Sequence, residues 1–233
     1  MPNWVSNSVV IEGPVADLEA LILKATGPDE DGVKQTFTLN GFVPQPKGIY
    51  HGGIGEKEER LYPGEKNWHG WNTKYWGTKW DCSDVGMKKE LTPLLDQMAE
   101  AYAGKRDSAE PTGKVTYTFN TAWSAPDPVI RTLAHQFPSL TVEHEWSDED
   151  SSGSNHGRTN YEDGEETGTV EFNGSEPSAD LIEMAIRLQG CNPYLPKCEE
   201  CYEDLPDQDV SMEQVVCTKC RKKAAKKEAK SKK

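Results

Sequence analysis

The chain of 233 residues carries a formal net charge of −13, has only 35% hydrophobic residues, and contains 20 Gly and 15 Pro. This composition excludes a long-helix protein, and no run approaches the roughly 18 apolar residues that a membrane-spanning helix needs. Residues Met1–Val5 show neither the basic nor the apolar part of a signal peptide. We therefore expect a cytoplasmic protein that does not engage a membrane.

The charge is divided between an acidic body and a basic tail. Residues 221–233 hold eight basic residues and one acid, so the remainder of the chain carries −20. Within that remainder, residues 143–183 hold 13 acids and a single base, Arg158. Such a body repels nucleic acid and anionic membrane, whereas a Lys-rich tail is attracted to phosphate. The plain alternative is that the acidic loops are solvated surface and the tail is disordered.

Hydrophobic periodicity predicts alternating strands and helices along the body. Strands are predicted at residues 4–12, 35–42, 114–123, 140–146 and 170–172, and helices at residues 15–23, 87–102, 128–137 and 179–188. Residues 47–70, rich in Gly and Glu, are predicted to form a long surface loop. The order β-α-β, an insertion, and β-α-β with added strands is typical of an α+β split βαβ sandwich.

Four of the seven tryptophans fall within 13 residues, at Trp68, Trp71, Trp76 and Trp80. With the neighbouring Lys79 they form a candidate binding site, because aromatic rings beside lysines can stack nucleic-acid bases. The alternative is that the tryptophans cover one open face of the sheet as a secondary core. The acidic body favours the core interpretation.

Four of the six cysteines form two pairs, Cys198/Cys201 and Cys217/Cys220, with 15 residues between the pairs. This spacing is typical of a zinc ribbon, in which two tight turns direct four thiolates at one Zn²⁺. The polar stretch between the pairs cannot bury a core, so the metal must supply the folding energy. A disulfide framework would need an oxidising compartment, and neither ferredoxin iron–sulfur spacing fits. Cys82 and Cys191 lie outside these two pairs, and we expect Cys82 to be a core thiol.

The predicted organisation has four parts. They are an α+β domain at residues 1–175, a helical linker at 176–190, a zinc ribbon at 191–220 and a disordered basic tail at 221–233. The first basic residues of the tail, Arg221, Lys222 and Lys223, are candidate contacts to nucleic acid.

Four segments resemble the YubB ferredoxin-like domain family, small proteins of phages and conjugative plasmids. The segments are Met1–Trp4, Trp76–Asp81, Thr121–Pro126 and Gln136–Pro138. The resemblance covers about residues 1–175 and implies a βαββαβ fold without an iron–sulfur cluster. It implies no catalytic residues, because the family has no established biochemical role. Val5 stands where family members often have Cys, which removes a thiol at that position.

The chain has no P-loop, no G-x-G-x-x-G after a strand, no H-E-x-x-H and no G-x-S-x-G, so the sequence gives no support for an enzyme and does not exclude one. A catalytic pocket would require His69, Asp81 and Asp84 to converge, without a spacing pattern that indicates it. His144 alternates with the glutamates on either side and should point to the opposite sheet face. The sequence favours an accessory binding protein that acts on a host macromolecule through its acidic body. The alternative is a nucleic-acid-binding protein that uses the zinc ribbon and Lys tail.

Overall fold

A six-stranded antiparallel sheet, with the strand order β4-β5-β1-β6-β7-β8, forms the centre of the protein. The computed structural model describes residues 3–28, 32–91, 111–149, 155–172, 178–190, 220 and 222. The sheet strands are β1 (Trp4–Pro14), β4 (Ser83–Leu91), β5 (Thr112–Ala122), β6 (Thr141–Asp148), β7 (His156–Glu162) and β8 (Glu165–Glu171). A separate two-stranded ribbon pairs β2 (Gly27–Pro28) with β3 (Lys34–Gln35). The helices are α1 (Val15–Ala25), α2 (Glu56–Leu61), α3 (Trp68–Tyr75), α4 (Asp127–Gln136) and α5 (Ala179–Gln189).

Four of these strands and two helices confirm the predicted α+β ferredoxin-like fold. Strand β1 pairs antiparallel with β5 on one side and β6 on the other. Strand β4 also pairs antiparallel with β5, so β1 and β4 run parallel with β5 between them. The units β1-α1-β4 and β5-α4-β6 are therefore two interleaved split βαβ units. The β7–β8 hairpin extends the sheet beyond β6.

The core lies between one sheet face and helices α1 and α4. Strand residues alternate between the two faces, so every second residue of β1 and β5 points toward these helices. The helices contribute one apolar stripe each, as helical periodicity requires. The fully or nearly fully buried side chains of this layer include Val9, Ile11, Leu18, Leu21, Tyr117, Phe119, Ile130 and Leu133. Burying such a side chain stabilises the fold by about 1.5–3 kcal/mol.

Helix α5 covers part of the opposite sheet face, where it contacts β1, β6 and β7. Its buried residues Leu181, Met184 and Ala185 form the apolar part of this contact. Ser178 caps the helix through its side chain, and Gly190 ends it in the left-handed conformation at φ +72°. The segment predicted as a helical linker thus contains a helix that packs on the sheet.

Most predicted elements of the core are confirmed within three residues. The agreement covers the strands at residues 4–12, 114–123 and 140–146 and the helices at residues 15–23, 128–137 and 179–188. These segments have clear apolar periodicity and clear end signals, including Pro128 in the first turn of α4. No described helix is long and apolar enough to cross a bilayer.

The helix predicted at residues 87–102 is wrong in its described part, because residues through Leu91 belong to strand β4. Met87 lies opposite Tyr117 of β5 and packs against the core, whereas Lys88 faces the other way and is exposed. Pairing along β5 satisfies the backbone of this segment, which overrides its helical apolar spacing. The rest of the predicted helix lies outside the described residues.

The strand predicted at residues 35–42 is also wrong beyond its first residue. Thr38 accepts a hydrogen bond from the Gly41 amide at 3.1 Å and begins a 3-10 turn at Leu39–Gly41. Phe37 and Leu39 are fully buried and pack into the main core from this turn. A local side-chain hydrogen bond has therefore replaced strand pairing.

Two further segments contain more regular structure than predicted. Residues 47–70 include α2, a 3-10 turn at Gly64–Lys66 and the first turn of α3. Strand β7 lies in a stretch rich in Gly, Ser and Asn, where no strand was predicted. It forms because β6 and β8 pair with it on both sides.

Candidate functional site

The tryptophan cluster divides into buried and surface members. Trp71 and Trp76 are 7% and 2% exposed and belong to the main core, where their rings meet edge to face at 5.6 Å. The Trp76 indole also donates a hydrogen bond to the Val43 carbonyl at 2.8 Å. These two residues were candidate ligand contacts, and the structure corrects this: their rings are used in packing. They pack in the main core, and not in a secondary one.

The surface members form what we call the aromatic ledge, made of Trp4, Trp68, His69, Lys79, Trp80 and Trp123. The Lys79 ammonium lies 4.4 Å from the Trp80 ring centroid and 4.3 Å from that of Trp123. Trp4 contacts Trp80 at a centroid distance of 6.3 Å. One cation therefore lies over two neighbouring indoles, an arrangement stabilised by the charge on the ring faces.

Helix α3 supplies the second part of the ledge. Asn67 caps the helix by accepting a hydrogen bond from the Gly70 amide, which fixes where Trp68 and His69 point. The Trp68 indole donates to the Gly52 carbonyl at 3.0 Å. The His69 ring meets Trp68 and Trp123 edge-on, at 5.5 and 5.8 Å. The α3 aromatics are thus joined to those at the ends of β1 and β5.

The loop that carries Lys79 and Trp80 is held against the end of β5. Asn72, fully buried, donates to the Lys79 carbonyl at 2.9 Å. Thr78 donates to the Ala122 carbonyl at 2.8 Å, and Ser124 donates to the Gly77 carbonyl. These hydrogen bonds position the ledge on a rigid part of the fold.

Trp123 is the ledge residue that sequence reasoning missed. It is 46% exposed and has φ of +76°, a conformation that bulky residues rarely adopt. Its amide donates to the Asn3 carbonyl, and its carbonyl accepts from Asn155. The strain costs about 1–3 kcal/mol, which a half-exposed side chain does not recover through burial. One sequence signal could have identified Trp123 as a site residue. It lies in Thr121–Pro126, one of the four segments on which the family resemblance rests.

A groove of about 610 Å³ adjoins the ledge between Trp68 and Trp80. The other described residues that line it are Gln45, His51, Gly52 and Gly53, so no carboxylate is among the described lining residues. The segment 47–80 around it holds six basic and four acidic residues. Lys79 supplies a cation to the ledge, and a carboxylate also lies at its edge, where Glu149 Oε1 accepts a hydrogen bond from the Trp4 amide at 3.0 Å.

A second surface, which we call the acidic edge, is the β7–β8 hairpin with strand β8. Asp163 and Gly164 form its turn with φ of +52° and +81°, and every residue of β8 is exposed. The edge carries the carboxylates of Glu162, Asp163, Glu165, Glu166 and Glu171. Within the described residues, β8 pairs with β7 alone, so one side of the strand is open to a further strand.

The described residues bring a buried histidine, His144, close to a carboxylate that is not its neighbour in sequence, Asp127. His144 is fully buried and its Nε2 lies 3.0 Å from Asn7 Oδ1, while its Nδ1 lies 3.5 Å from Asp127 Oδ1. Burial lowers the pKa of His144 to about 3. Burial, with nearby Glu171, raises the pKa of Asp127 to about 6. As predicted, Glu145 lies on the other face, where it binds Arg187.

The three residues named for a catalytic pocket make separate contacts. Asp81 accepts hydrogen bonds from the Leu39 and Cys82 amides, which fixes a turn. Asp84 accepts from the Asn120 side chain at 3.1 Å, and His69 packs in the ledge. The contacts described for them are structural and do not link the three side chains.

The predicted metal ligands lie almost wholly outside the described residues. Cys198, Cys201 and Cys217 are outside, as are Arg221 and Lys223, while Cys220 is buried and Lys222 is exposed. Among the residues that the structure does describe, no three His, Cys, Asp or Glu side chains are grouped as metal ligands.

Cys82 is a core thiol, as predicted. It is 8% exposed and packs in the main core cluster. Burial raises the pKa of its thiol well above the ordinary value, and the Asp81 carboxylate raises it further. The thiol is therefore a packing group and not an activated nucleophile.

A match to a family model supports the fold. Residues 99–185 match the family model described as the ferredoxin-like domain in Api92-like protein. The chain is also similar to the crystal structure of a protein Api92 from Yersinia pseudotuberculosis, with 10% identity and a TM-score of 0.43 over 76% of this chain and 100% of that one. No curated protein sequence matches the chain.

Proposed function

We propose that this protein is a non-enzymatic accessory protein of a phage or plasmid, akin to the YubB ferredoxin-like proteins, that binds a host protein through its acidic edge. The observation that carries the proposal is strand β8, an edge strand whose seven residues are all exposed. Natural proteins usually shorten, cover or twist such edges away. A long exposed edge is a template for a strand of another chain.

The charge of the edge defines the chemistry of its partner. Arg131 pairs with Glu166 at 3.0 Å, and Glu165 lies 3.9 Å from His135. Among the described contacts, no Lys, Arg or His side chain lies as close to the turn carboxylates of Glu162 and Asp163 as Arg131 does to Glu166 or His135 does to Glu165. A basic host protein would be attracted over a long range and oriented by this field. If the partner normally binds DNA, the carboxylates stand in place of the phosphates.

The test compares two triple variants of equal charge change. The edge variant replaces Glu162, Glu165 and Glu171 with Gln, and the control variant makes the same change at three glutamates of α2, the exposed Glu56 and Glu59 and the partly exposed Glu58. Wild type and control should capture the same host protein at low salt, and the edge variant should not. Capture should also fall steeply as salt rises, because exposed charges are screened.

Two results would contradict the proposal. One is equal capture by the edge and control variants, which would show that the carboxylates of the acidic edge have no specific part in binding. The other is capture that is insensitive to salt. Competition by double-stranded DNA would identify a partner that normally binds DNA.

A second candidate function is binding of nucleic acid by the C-terminal zinc ribbon and Lys tail. The observation that favours it is the C-x2-C pair spacing with 15 residues between the pairs, next to 13 residues of net +7. Purified under reducing conditions without chelator, the protein should contain about one equivalent of zinc. Cys198→Ser should reduce that content, and removal of residues 191–233 should abolish the salt-dependent binding of double-stranded DNA.

A further inference from the structure

The aromatic ledge has the features of a stacking platform. Trp123 is 46% exposed, and Trp80 is half-buried beside it, with the Lys79 ammonium over both rings at 4.3–4.4 Å. The ammonium places a positive charge at the ledge, close to both indole rings. Both rings are carried by hydrogen-bonded loops at the end of β5. Little ordering is therefore required when a planar ligand binds.

The strain at Trp123 indicates that the ring is needed at the surface. A bulky residue at φ +76° costs about 1–3 kcal/mol, and only a structure that over-determines the position retains it. Here Asn3 and Asn155 hold the backbone on both sides. The result is an indole that projects from the end of β5 toward Lys79 and His69.

The surrounding groups define the ligand class. Sugar-binding platforms combine aromatic rings with carboxylates that accept hydrogen bonds from hydroxyl groups, yet none of the described residues that line the groove is a carboxylate. The groove instead offers the Gln45 amide and the His51 imidazole beside Trp68 and Trp80. The segment 47–80 has a net charge of +2, in contrast to the acidic body. Aromatic faces with nearby cations and amide groups are the elements that bind unpaired bases.

We infer that the aromatic ledge binds single-stranded nucleic acid, with Trp80 and Trp123 stacking on successive bases and Lys79 adding positive charge at the backbone. Duplexes do not fit this mode, since their bases are already stacked on one another. The site is distinct from the acidic edge and from the C-terminal tail, so it does not rest on the proposed function.

The test uses the full-length chain and its own tryptophan fluorescence. A mixed-sequence 12-nucleotide single-stranded DNA and its RNA equivalent should quench the emission, while the matching duplex should not. Trp123→Ala and Trp80→Ala should each weaken binding roughly 5- to 150-fold, the usual effect of losing one base–aromatic stack. Trp123→Phe keeps an aromatic face and should bind close to wild type.

Two controls separate the ledge from the other charged parts. Tyr62→Ala removes an exposed aromatic ring that stacks on Tyr50 and is not one of the ledge residues, and it should bind as wild type does. The edge variant with three Glu→Gln changes should retain ledge binding. Circular dichroism melting curves establish that each variant is folded.

Several outcomes would overturn the inference. One is the absence of quenching by either oligonucleotide at low salt. Another is unchanged affinity of folded Trp123→Ala and Trp80→Ala, which would assign binding to the Lys tail. Quenching by maltotriose or a proline-rich peptide, without quenching by the oligonucleotides, would assign the ledge to a different ligand class.

Discussion

Replacing Glu145 with Gln is expected to loosen helix α5 from the sheet. The Glu145 side chain is 1% exposed and accepts four hydrogen bonds from two guanidinium groups. Arg158 on β7 donates through Nε and Nη2 at 2.9 and 2.7 Å. Arg187 on α5 donates through Nη1 and Nη2 at 2.7 and 2.9 Å. The carboxylate therefore joins β6 to β7 and to α5.

The expected loss of unfolding free energy depends on how deeply Glu145 and its two arginine partners are buried. Removing one partner of a buried ion pair costs about 3–5 kcal/mol, because the other charge is left without compensation. Here Arg158 and Arg187 are 31% and 56% exposed and can recover water. We therefore expect Glu145→Gln to lower the free energy of unfolding by about 2–3 kcal/mol at pH 7.

The effect should depend on pH in a defined direction. Burial raises the pKa of Glu145, but the hydrogen bonds from Arg187 and Arg158 outweigh it and leave the pKa below its ordinary value of 4.5. A carboxyl with a lowered pKa stabilises the fold above its ordinary pKa, and this stability is lost as the pH falls through the folded value. The difference between wild type and variant should therefore be complete at pH 7 and should shrink below pH 4.5.

Urea unfolding and amide hydrogen exchange measure the two parts of this prediction. If α5 opens locally, exchange in Ala179–Gln189 should become roughly 30- to 150-fold faster, which corresponds to 2–3 kcal/mol. Glu143→Gln on the same strand is the control. Its side chain is 42% exposed and lies 3.7 Å from Arg158, so its loss should cost less than about 1 kcal/mol. Equal effects of the two substitutions would refute the reasoning, as would exchange in α5 that does not change.

Three further predictions concern buried groups. Burial lowers the pKa of His144 to about 3, so below pH 6.5 the unfolded chain binds a proton at this residue that the folded protein does not bind. The free energy of unfolding should therefore fall between pH 6 and 4 by up to about 1.4 kcal/mol per pH unit more in wild type than in His144→Gln, as measured by urea titrations. Gly157→Ala should lower stability by about 1–3 kcal/mol in melting experiments, because its Cβ would lie 2.5 Å from Trp146 Cζ2, whereas Gly168→Ala has open space and serves as the control. Cys82 should be alkylated far more slowly in the native protein than in urea, by peptide mass mapping, since burial raises its thiol pKa.

The parts of the fold that could be predicted are those in which local sequence and tertiary environment agree. In β1, Val5, Val9 and Ile11 alternate with less buried residues, and all three are fully buried. Helix α4 presents Ile130 and Leu133 on one face, again as its periodicity predicts. One buried face imposes its period on the sequence, and that period can be read without knowledge of the partners.

Prediction failed where partners distant in sequence determine the structure. Strand β4 has apolar residues at helical spacing, yet pairing with β5 makes it extended. Strand β7 is polar, and its place between β6 and β8 is fixed by hydrogen bonding on both sides. Backbone pairing contributes little to the residue pattern of a polar strand, so the sequence shows no clear signal for it.

The candidate site shows the same division. The sequence alone identified the tryptophan cluster with Lys79 and the four-cysteine pattern, because both depend only on residue type and spacing. Only the tertiary structure decided that Trp71 and Trp76 are core, and that Trp123 joins Lys79 from a strand end more than 40 residues away. Likewise, the pattern around His144 excluded its neighbours as partners, but Asp127 came to it through packing of α4 on the sheet. Composition and period report which residues avoid water, whereas the contacts between surface groups depend on how separate elements are brought together.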